Sequence, residues 1–187
     1  MNATLTIIIV VVVLVITGAI IGLVFSQRKH TQNLQKKFGT EYDHAVQNSG
    51  NEKQAQSELD ERLKHIKTLD IHPLSDADRS RYLSEWTEVQ SKFVDEPGKA
   101  IVDADRLITE VMLARNYPIS DFEQRAADVS VIYPDFVSNY RAARVIADKN
   151  KEQQADTEEL RQAMIYYRSL FKELLGTETM VAEEKVG

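Results

Sequence analysis

The chain has 187 residues, a formal net charge of −6 and no cysteine. The lack of cysteine excludes a disulfide framework, a thiolate metal site and a lipid-bearing cysteine. From Glu41 onward there are 19 basic against 29 acidic residues, a net charge of −10. This part of the chain repels nucleic acid phosphates, so we expect no nucleic acid partner.

The first predicted element is a membrane-spanning helix. Residues 5–25 form a run of twenty-one residues without a charge, and a helix of about twenty apolar residues crosses the core of a bilayer. Only four residues precede the run, and the sequence after it is not a small-residue cleavage motif, which favours an uncleaved anchor over a signal peptide. The sequence therefore predicts a transmembrane anchor at residues 1–26, with the lipid bilayer as its partner.

A basic flank follows the predicted anchor. No acidic residue precedes Glu41, and the flank consists of Arg28, Lys29, Lys36 and Lys37. The positive-inside rule then predicts a single-pass protein of the bacterial inner (plasma) membrane, with its amino terminus outside and its C-terminal domain in the cytoplasm. We expect the helix to continue as a basic juxtamembrane stalk at residues 27–39 and to end at Gly39. The flank suits an anionic leaflet, or it is an ordinary positive-inside flank.

A row of small residues lies within the apolar run. Gly18 and Gly22 form a G-x-x-x-G motif, and Ser26 extends the row by four residues. Such a row makes a flat helix face on which a second membrane helix can approach closely. The motif indicates self-association as one possible use of the anchor.

The rest of the chain predicts one cytoplasmic helical domain at residues 40–175, followed by a short flexible tail at residues 176–187. Capping residues precede apolar positions spaced three and four apart. The predicted helix starts are Ser75, Asp95 with Pro97, Ser120 as a capping box, and Asp156. Alternation typical of strands is scarce, the only candidate being "DVSVIY". The predicted fold class is all-α, an N-terminal transmembrane helix followed by a soluble helical bundle.

A helix predicted at residues 52–69 carries a narrow apolar stripe, which consists of Ala55, Leu59, Ile66 and Leu69. A stripe of this width covers one partner, either the bundle or a second copy of the chain. Glu58 and Arg62 are four residues apart, the spacing that pairs charges on a helix.

Tyr-Pro followed by Asp-Phe occurs twice, in "YPISDFEQRAADVSVIYPDF" at residues 117–136. Proline ends a helix or starts the next one, so each repeat predicts a boundary between two helices. Helix starts leave one polar surface unexplained, which consists of Asp121, Glu123, Arg125 and Asp128. This surface is either a solvated, ion-paired face or a partner-binding site.

Enzyme and metal motifs are weak. Glu41 and His44 make one Glu-x-x-His spacing, whereas a di-iron bundle needs two such pairs and two further glutamates. One helical face carries Asp103, Arg106 and Glu110. This arrangement predicts an ion-pair ladder or, as the alternative, two acids placed for proton transfer. We therefore predict no metal, no cofactor and no catalytic residue.

Five strings carry a resemblance to a known family: "FGTEYD", "YLSEWTEVQSKFVDEP", "DADRLITEVMLARNYP", "DFEQRAADVS" and "NYRAA". They resemble a family of small bacterial proteins with one N-terminal membrane helix and a helical domain. The resemblance covers the anchor and residues 38–175. It implies this architecture and a bacterial origin, and it implies no catalytic residue because the family has no assigned activity.

These observations together predict a membrane-anchored helical module that binds or scaffolds a protein partner or associates with itself. Two alternatives belong to other classes. One is a structural component of the cell envelope that self-assembles, and the other is an enzyme with a polar site between its helices.

Overall fold

The computed structural model describes residues 3–118 and 120–176, and for residues 3–11, 13 and 15 it describes the backbone alone. Within that part of the chain there are eight helices and no strand, which confirms the all-α prediction. The helices are α1 (Ala3–Phe38), α2 (Thr40–Ser49), α3 (Glu52–Thr68), α4 (Asp76–Asp95), α5 (Pro97–Ala114), α6 (Phe122–Ile132), α7 (Pro134–Lys151) and α8 (Thr157–Leu175). Of the predicted tail at residues 176–187, Gly176 is the C-cap of α8, and residues 177–187 lie outside the described residues.

Helix α1 contains 36 residues and is about 54 Å long at a rise of 1.5 Å per residue. It ends at Phe38 as predicted, where Gly39 takes a φ of 53° that suits glycine. The predicted anchor at residues 1–26 begins with residues whose side chains lie outside the described part. Over the residues whose placement is described, no helix is both long enough and apolar enough to cross a membrane.

Most helix boundaries follow the predicted local signals. Ser75 caps α4, and Asp156 with Glu159 forms a complete capping box on α8. Pro134 is the first residue of α7, as the second Tyr-Pro repeat predicts. The string "DVSVIY", the single strand candidate, instead forms the second half of α6 and its C-cap.

Two predicted caps are wrong. Pro97 begins α5 as predicted, but Asp95 is the last residue of α4, and the N-cap residue Glu96 makes no side-chain capping hydrogen bond. The second wrong cap is at α6. The side chain that caps α6 belongs to Asp121, whose Oδ1 accepts a hydrogen bond of 2.9 Å from the backbone N–H of Gln124. The Ser120 hydroxyl has no hydrogen-bond partner among the described atoms. The helix therefore starts one residue later than the capping-box pattern indicates.

Helices α4 to α8 surround the main hydrophobic core, and we call residues 76–175 the bundle. Trp86 of α4 stacks on Phe171 of α8, with ring centroids 4.5 Å apart. The largest fully buried side chains of this core are Tyr140, Tyr167, Phe171, Ile101, Leu107, Ile108, Met112, Leu170, Leu174 and Leu175. These residues belong to α5, α7 and α8. Those of α5 and α8 recur at helical spacing, so each of these two helices buries one face.

A second, smaller core lies where α1 meets α2 and α3, and we call residues 27–68 the neck. Its buried members are Leu34, Phe38, Tyr42, Ala45, Ala55, Leu59 and Val131. Leu34 and Phe38 are 3% and 0% exposed, although both belong to the stalk predicted from the sequence. The last two turns of α1 are therefore part of a packed core, and a boundary after residue 39 passes through it.

Helix α6 and one extended segment join the neck to the bundle. Val131 belongs to the neck core, while its neighbour Val129 belongs to the bundle core. Residues 69–75 connect α3 to α4 across the surface of the bundle. Arg115 holds this segment, because its Nε donates to the carbonyl of His72 and its backbone carbonyl accepts from the N–H of His72.

Candidate functional site between the neck and the bundle

Glu41 carries one of the few buried polar side chains of the described residues, and it is 2% exposed. Glu41 lies in the first turn of α2, where the partial positive charge of a helix N-terminus favours an acid. A buried charge is costly unless it is paired and hydrogen-bonded. Glu41 satisfies this requirement with two arginines from distant parts of the chain.

Arg62 of α3 and Arg141 of α7 share the same oxygen of Glu41. Arg62 Nη1 lies 2.7 Å from Glu41 Oε1, and Arg141 Nη2 lies 3.0 Å from the same oxygen. The other carboxylate oxygen lies 3.7 Å from His44 Nδ1. Helices α2, α3 and α7 thus meet at a single carboxylate.

Each arginine also binds a second carboxylate nearer the surface. Arg62 pairs with Glu58 at 2.5 Å, which confirms the predicted spacing, and Arg141 pairs with Glu123 at 2.8 Å. We call these five residues the charge network. It runs from α3 through α2 to α7 and α6, so it fastens the neck to the bundle.

The pKa of the Arg141 guanidinium depends on its contacts with Glu41 and Glu123. Burial by itself lowers the pKa of the guanidinium, but the hydrogen bonds and charges of Glu41 and Glu123 outweigh it and raise the pKa above its ordinary value. Arg141 therefore stays charged at any physiological pH. Breaking a buried pair by removing one partner costs about 3 to 5 kcal/mol, since the other charge stays buried.

A second buried acid, Asp128 of α6, faces α3 beside the charge network. It is 1% exposed, its Oδ1 accepts a hydrogen bond of 2.9 Å from Gln124, and the same oxygen lies 3.5 Å from His65 Nε2. Burial raises the pKa of the Asp128 carboxyl, while Gln124, His65 and Arg62 partly oppose that increase. Its Oδ2 has no hydrogen-bond partner among the described atoms.

A groove of about 430 Å³ lies between α3 and α6, on the solvent side of Glu41 and Asp128. Four acids, one arginine and one histidine contribute to its walls, which are lined by Glu58, Glu61, Arg62, His65, Asp121, Glu123, Gln124 and Ala127. The groove is polar and acidic, and it includes two of the four residues predicted to bind a partner.

The four predicted partner-binding residues have different environments. Asp121 caps α6, Glu123 is exposed and pairs with Arg141, and Asp128 is buried. The Arg125 guanidinium turns inward, where Nη1 donates to the Ser120 carbonyl at 2.6 Å and Nε donates to the Tyr140 hydroxyl at 3.3 Å. Only Asp121 and Glu123 face solvent, so the four do not form one exposed surface. Their role in binding a partner stays a prediction.

The predicted residues of α1 are exposed. Within the described residues nothing lies within 4 Å of a methyl group placed on Gly18 or Gly22, and Ser26 is exposed. The basic flank is exposed as well, at Arg28, Lys29, Lys36 and Lys37.

Two observations on the described residues bear on the enzyme alternative. Among the described residues no group of three or more His, Asp or Glu side chains could hold a metal ion. Arg106 lies 2.6 Å from Glu110 and 3.9 Å from Asp103, which confirms the ion-pair ladder. Lys92 binds the other oxygen of Asp103 at 2.5 Å. Both acids of the ladder are thus paired with cations.

The charge network is not predicted from the sequence as a unit. The Glu-x-x-His spacing pairs Glu41 only with His44, and no motif includes Arg141 as a site residue. Both residues lie in strings that carry the family resemblance, "FGTEYD" and "NYRAA", but no spacing joins them because they are 100 residues apart.

Comparisons with protein-family models, with curated proteins and with solved structures find no match to this chain.

Proposed function

We propose that this protein is a single-pass membrane protein that holds a helical binding or scaffolding module at the cytoplasmic face of the bacterial inner membrane. The observation that carries the proposal is the uncharged run of residues 5–25, which belongs to the same unbroken helix as the buried Leu34 and Phe38. A bilayer is the environment that such a run of apolar residues favours.

The exposure of α1 supports this proposal. Large apolar side chains are exposed along its described part, from Leu14 at 67% to Phe25 at 72%. Exposed apolar surface of this length is unfavourable in water and marks a site for a membrane or a partner. The basic flank that begins at Arg28 supports a cytoplasmic location for the bundle.

The binding role is supported by the acidic groove between α3 and α6. The groove lies where neck and bundle meet, and Glu61 on its wall has no ion-pair partner among the described residues. A partner seated there would contact both parts of the protein at once. The candidate contact residues are Glu61, Asp121 and Glu123.

Two measurements test the anchor and its orientation. We expect the full chain to stay with the membrane fraction after alkaline carbonate extraction. The chain has no cysteine, so Val94→Cys, at a side chain that is 82% exposed, adds a unique thiol. This thiol should resist a membrane-impermeant maleimide in intact cells and react after lysis. Release by carbonate would contradict the anchor, and labelling in intact cells would contradict the orientation.

Site-specific photo-crosslinking tests the binding role. A photoreactive amino acid replaces Glu61 in the α3/α6 groove or, as a matched control, the exposed Glu88 of α4. We expect a discrete adduct in native membranes from position 61 and none from position 88. Adducts from both positions, or from neither, would contradict a binding site in this groove.

Self-assembly is the second candidate function, and the exposed row of Gly18, Gly22 and Ser26 favours it. The same experiment separates it from partner binding, because a self-adduct has twice the mass of the chain. Gly22→Leu should then abolish that adduct, since a bulky side chain prevents close approach of two helices.

A further inference from the structure

The part of α1 that follows the apolar run has two different sides. One side packs in the neck through Leu34 and Phe38. On this side His30 Nε2 lies 3.0 Å from Asp60, and Thr31 Oγ1 accepts a hydrogen bond of 2.9 Å from Gln56. The position of α2 and α3 on α1 is therefore fixed by packing and by polar contacts.

The other side of the same segment is basic. Lys29 and Lys36 are seven residues apart, and at about 100° per residue they point about 170° away from the mean direction of Leu34 and Phe38. Arg28 and Lys37 lie at the two edges of this side. All four are exposed, and no ion pair is found for any of them among the described residues. We call these four residues the basic face.

The fold thus separates charge across α1. Among the described residues Glu52 lines a pocket with Arg28, but no acid forms an ion pair with the basic face. Helices α2 and α3, which belong to the part of the sequence with a net charge of −10, pack on the opposite side of α1. An anionic leaflet attracts lysine and arginine near its surface and repels acids, over a distance of about 8 Å at physiological salt. Such a leaflet attracts one side of α1 and repels the other.

The distance of Lys36 from the apolar run indicates how α1 is oriented relative to the bilayer. It follows Phe25 by eleven residues, or about 16 Å along a helix axis. With α1 perpendicular to the bilayer, Lys36 would lie beyond the range of the surface charge, whereas a tilt toward the basic face brings it within reach.

We propose that the basic face of α1 binds anionic lipid headgroups and thereby tilts the helix, with the bundle held on the side away from the membrane. This inference rests on the proposed anchor in α1, and it names the lipid class that the segment recognises. The headgroups supply phosphate oxygens, which the ammonium groups of Lys29 and Lys36 bind as point charges.

The test places a probe on the basic face of the full chain. Asn33 is exposed and lies between Lys29 and Lys36 on the same side of α1. An environment-sensitive dye is attached through Asn33→Cys in vesicles that carry a headgroup quencher. One set of vesicles contains only phosphatidylcholine, and the other also contains phosphatidylglycerol.

We expect quenching at position 33 to increase severalfold when phosphatidylglycerol is present, and this increase to disappear at high salt. The double variant K29Q/K36Q should lose the increase. The control K64Q/K67Q removes the same charge from exposed positions on α3 and should keep it.

The outcomes separate the two proposals. Protein that floats with both kinds of vesicle but shows equal quenching in both overturns the lipid inference and leaves the anchor intact. An equal loss in K64Q/K67Q also overturns it, because net charge rather than the basic face would then cause the effect. Protein that floats with neither kind of vesicle overturns the anchor and the inference together.

Discussion

The bundle and the neck are held together in different ways. In the bundle, contacts such as the stacking of Trp86 on Phe171 join helices through large apolar side chains. The neck has a core of seven buried residues and supplements it with polar contacts, among them the hydrogen bond from Gln56 to the Tyr42 hydroxyl at 3.0 Å. Between the two regions lies the charge network around Glu41.

This difference has a physical consequence. Apolar burial is non-directional and scales with area, so the bundle tolerates small shifts of its helices. A carboxylate shared by two arginines requires defined distances and angles, so the charge network fixes one arrangement of neck and bundle. We therefore expect substitutions in the bundle to affect the whole fold, and substitutions in the neck or the network to affect the attachment of α1.

The largest expected effects come from removing one large buried side chain from each core. Trp86→Ala should lower the free energy of unfolding by about 3 to 5 kcal/mol, because a large buried side chain is lost and a cavity is left. Phe38→Ala removes a comparable side chain from the neck core, and it should increase hydrogen exchange in α2 and α3 while α4 to α8 stay protected.

Hydrogen exchange with mass spectrometry on the full chain checks both variants. Equal loss of protection in neck and bundle for Phe38→Ala would mean that the two regions unfold as one cooperative unit. The distinction between them would then have no energetic meaning.

The next effect concerns the charge network. Glu41→Gln should cost about 2 to 4 kcal/mol, slightly less than the loss of a fully buried pair, because Arg62 and Arg141 each keep a second carboxylate. Denaturant unfolding followed by circular dichroism measures the change. The control Glu58→Gln removes an acid whose side chain is 46% exposed, and it should cost only about 0 to 1 kcal/mol. Equal costs for the two variants would show that the burial of Glu41 adds nothing.

A smaller effect is expected at the start of α6, the helix that contributes to both cores. Asp121→Ala should cost about 0.5 to 2 kcal/mol, since the Asp121 carboxylate caps the helix. Ser120→Ala should change the free energy of unfolding by less than about 0.5 kcal/mol, because the Ser120 hydroxyl has no partner among the described atoms. Thermal unfolding of the two variants side by side tests the assignment, and a larger cost for Ser120→Ala would reverse it.

The smallest expected effect is a stabilisation, and its size depends on pH. Burial raises the pKa of Asp128 above its ordinary value of 3.8, so the folded state holds the proton more tightly than the unfolded state. The penalty for ionising Asp128 is absent below the unfolded pKa, grows as pH rises toward the folded pKa, and is complete above the folded pKa. Asp128→Asn should therefore raise the melting temperature slightly at pH 7.

The difference between Asp128→Asn and the unmodified chain should shrink as pH falls toward 3.8. Melting curves of both proteins across this range provide the measurement, since other titrating groups are common to the two. A lower melting temperature for the variant at pH 7 would mean that the attraction of His65 and Arg62 for the carboxylate outweighs its burial.

Much of the fold follows from local sequence signals. Gly39 ends α1, Ser75 and Asp156 start helices, and Pro134 begins α7, as predicted. Each of these signals acts within one turn of helix, where a side chain meets backbone groups three or four residues away. The failure at Ser120 has the same local origin, because Asp121 is an equally good cap one residue later and tertiary packing decides between them.

The candidate site could not be predicted in this way. The pattern around "DFEQRAAD" predicts a polar face, yet the structure turns Arg125 toward Tyr140 and buries Asp128 against α3. Whether a charged side chain faces water or a partner depends on which helix packs beside it, and the sequence of α6 does not contain that information.

The sequence by itself determined the helical class, most helix boundaries and the uncharged run that motivates a membrane anchor, because these depend on composition and on contacts between neighbouring residues. Only the tertiary structure decided that Leu34 and Phe38 belong to a core and that Glu41 joins Arg62 and Arg141. Those contacts link residues 21 and 100 positions apart. No local pattern encodes such distances, since they arise when helices pack and each buried charge must find its partner.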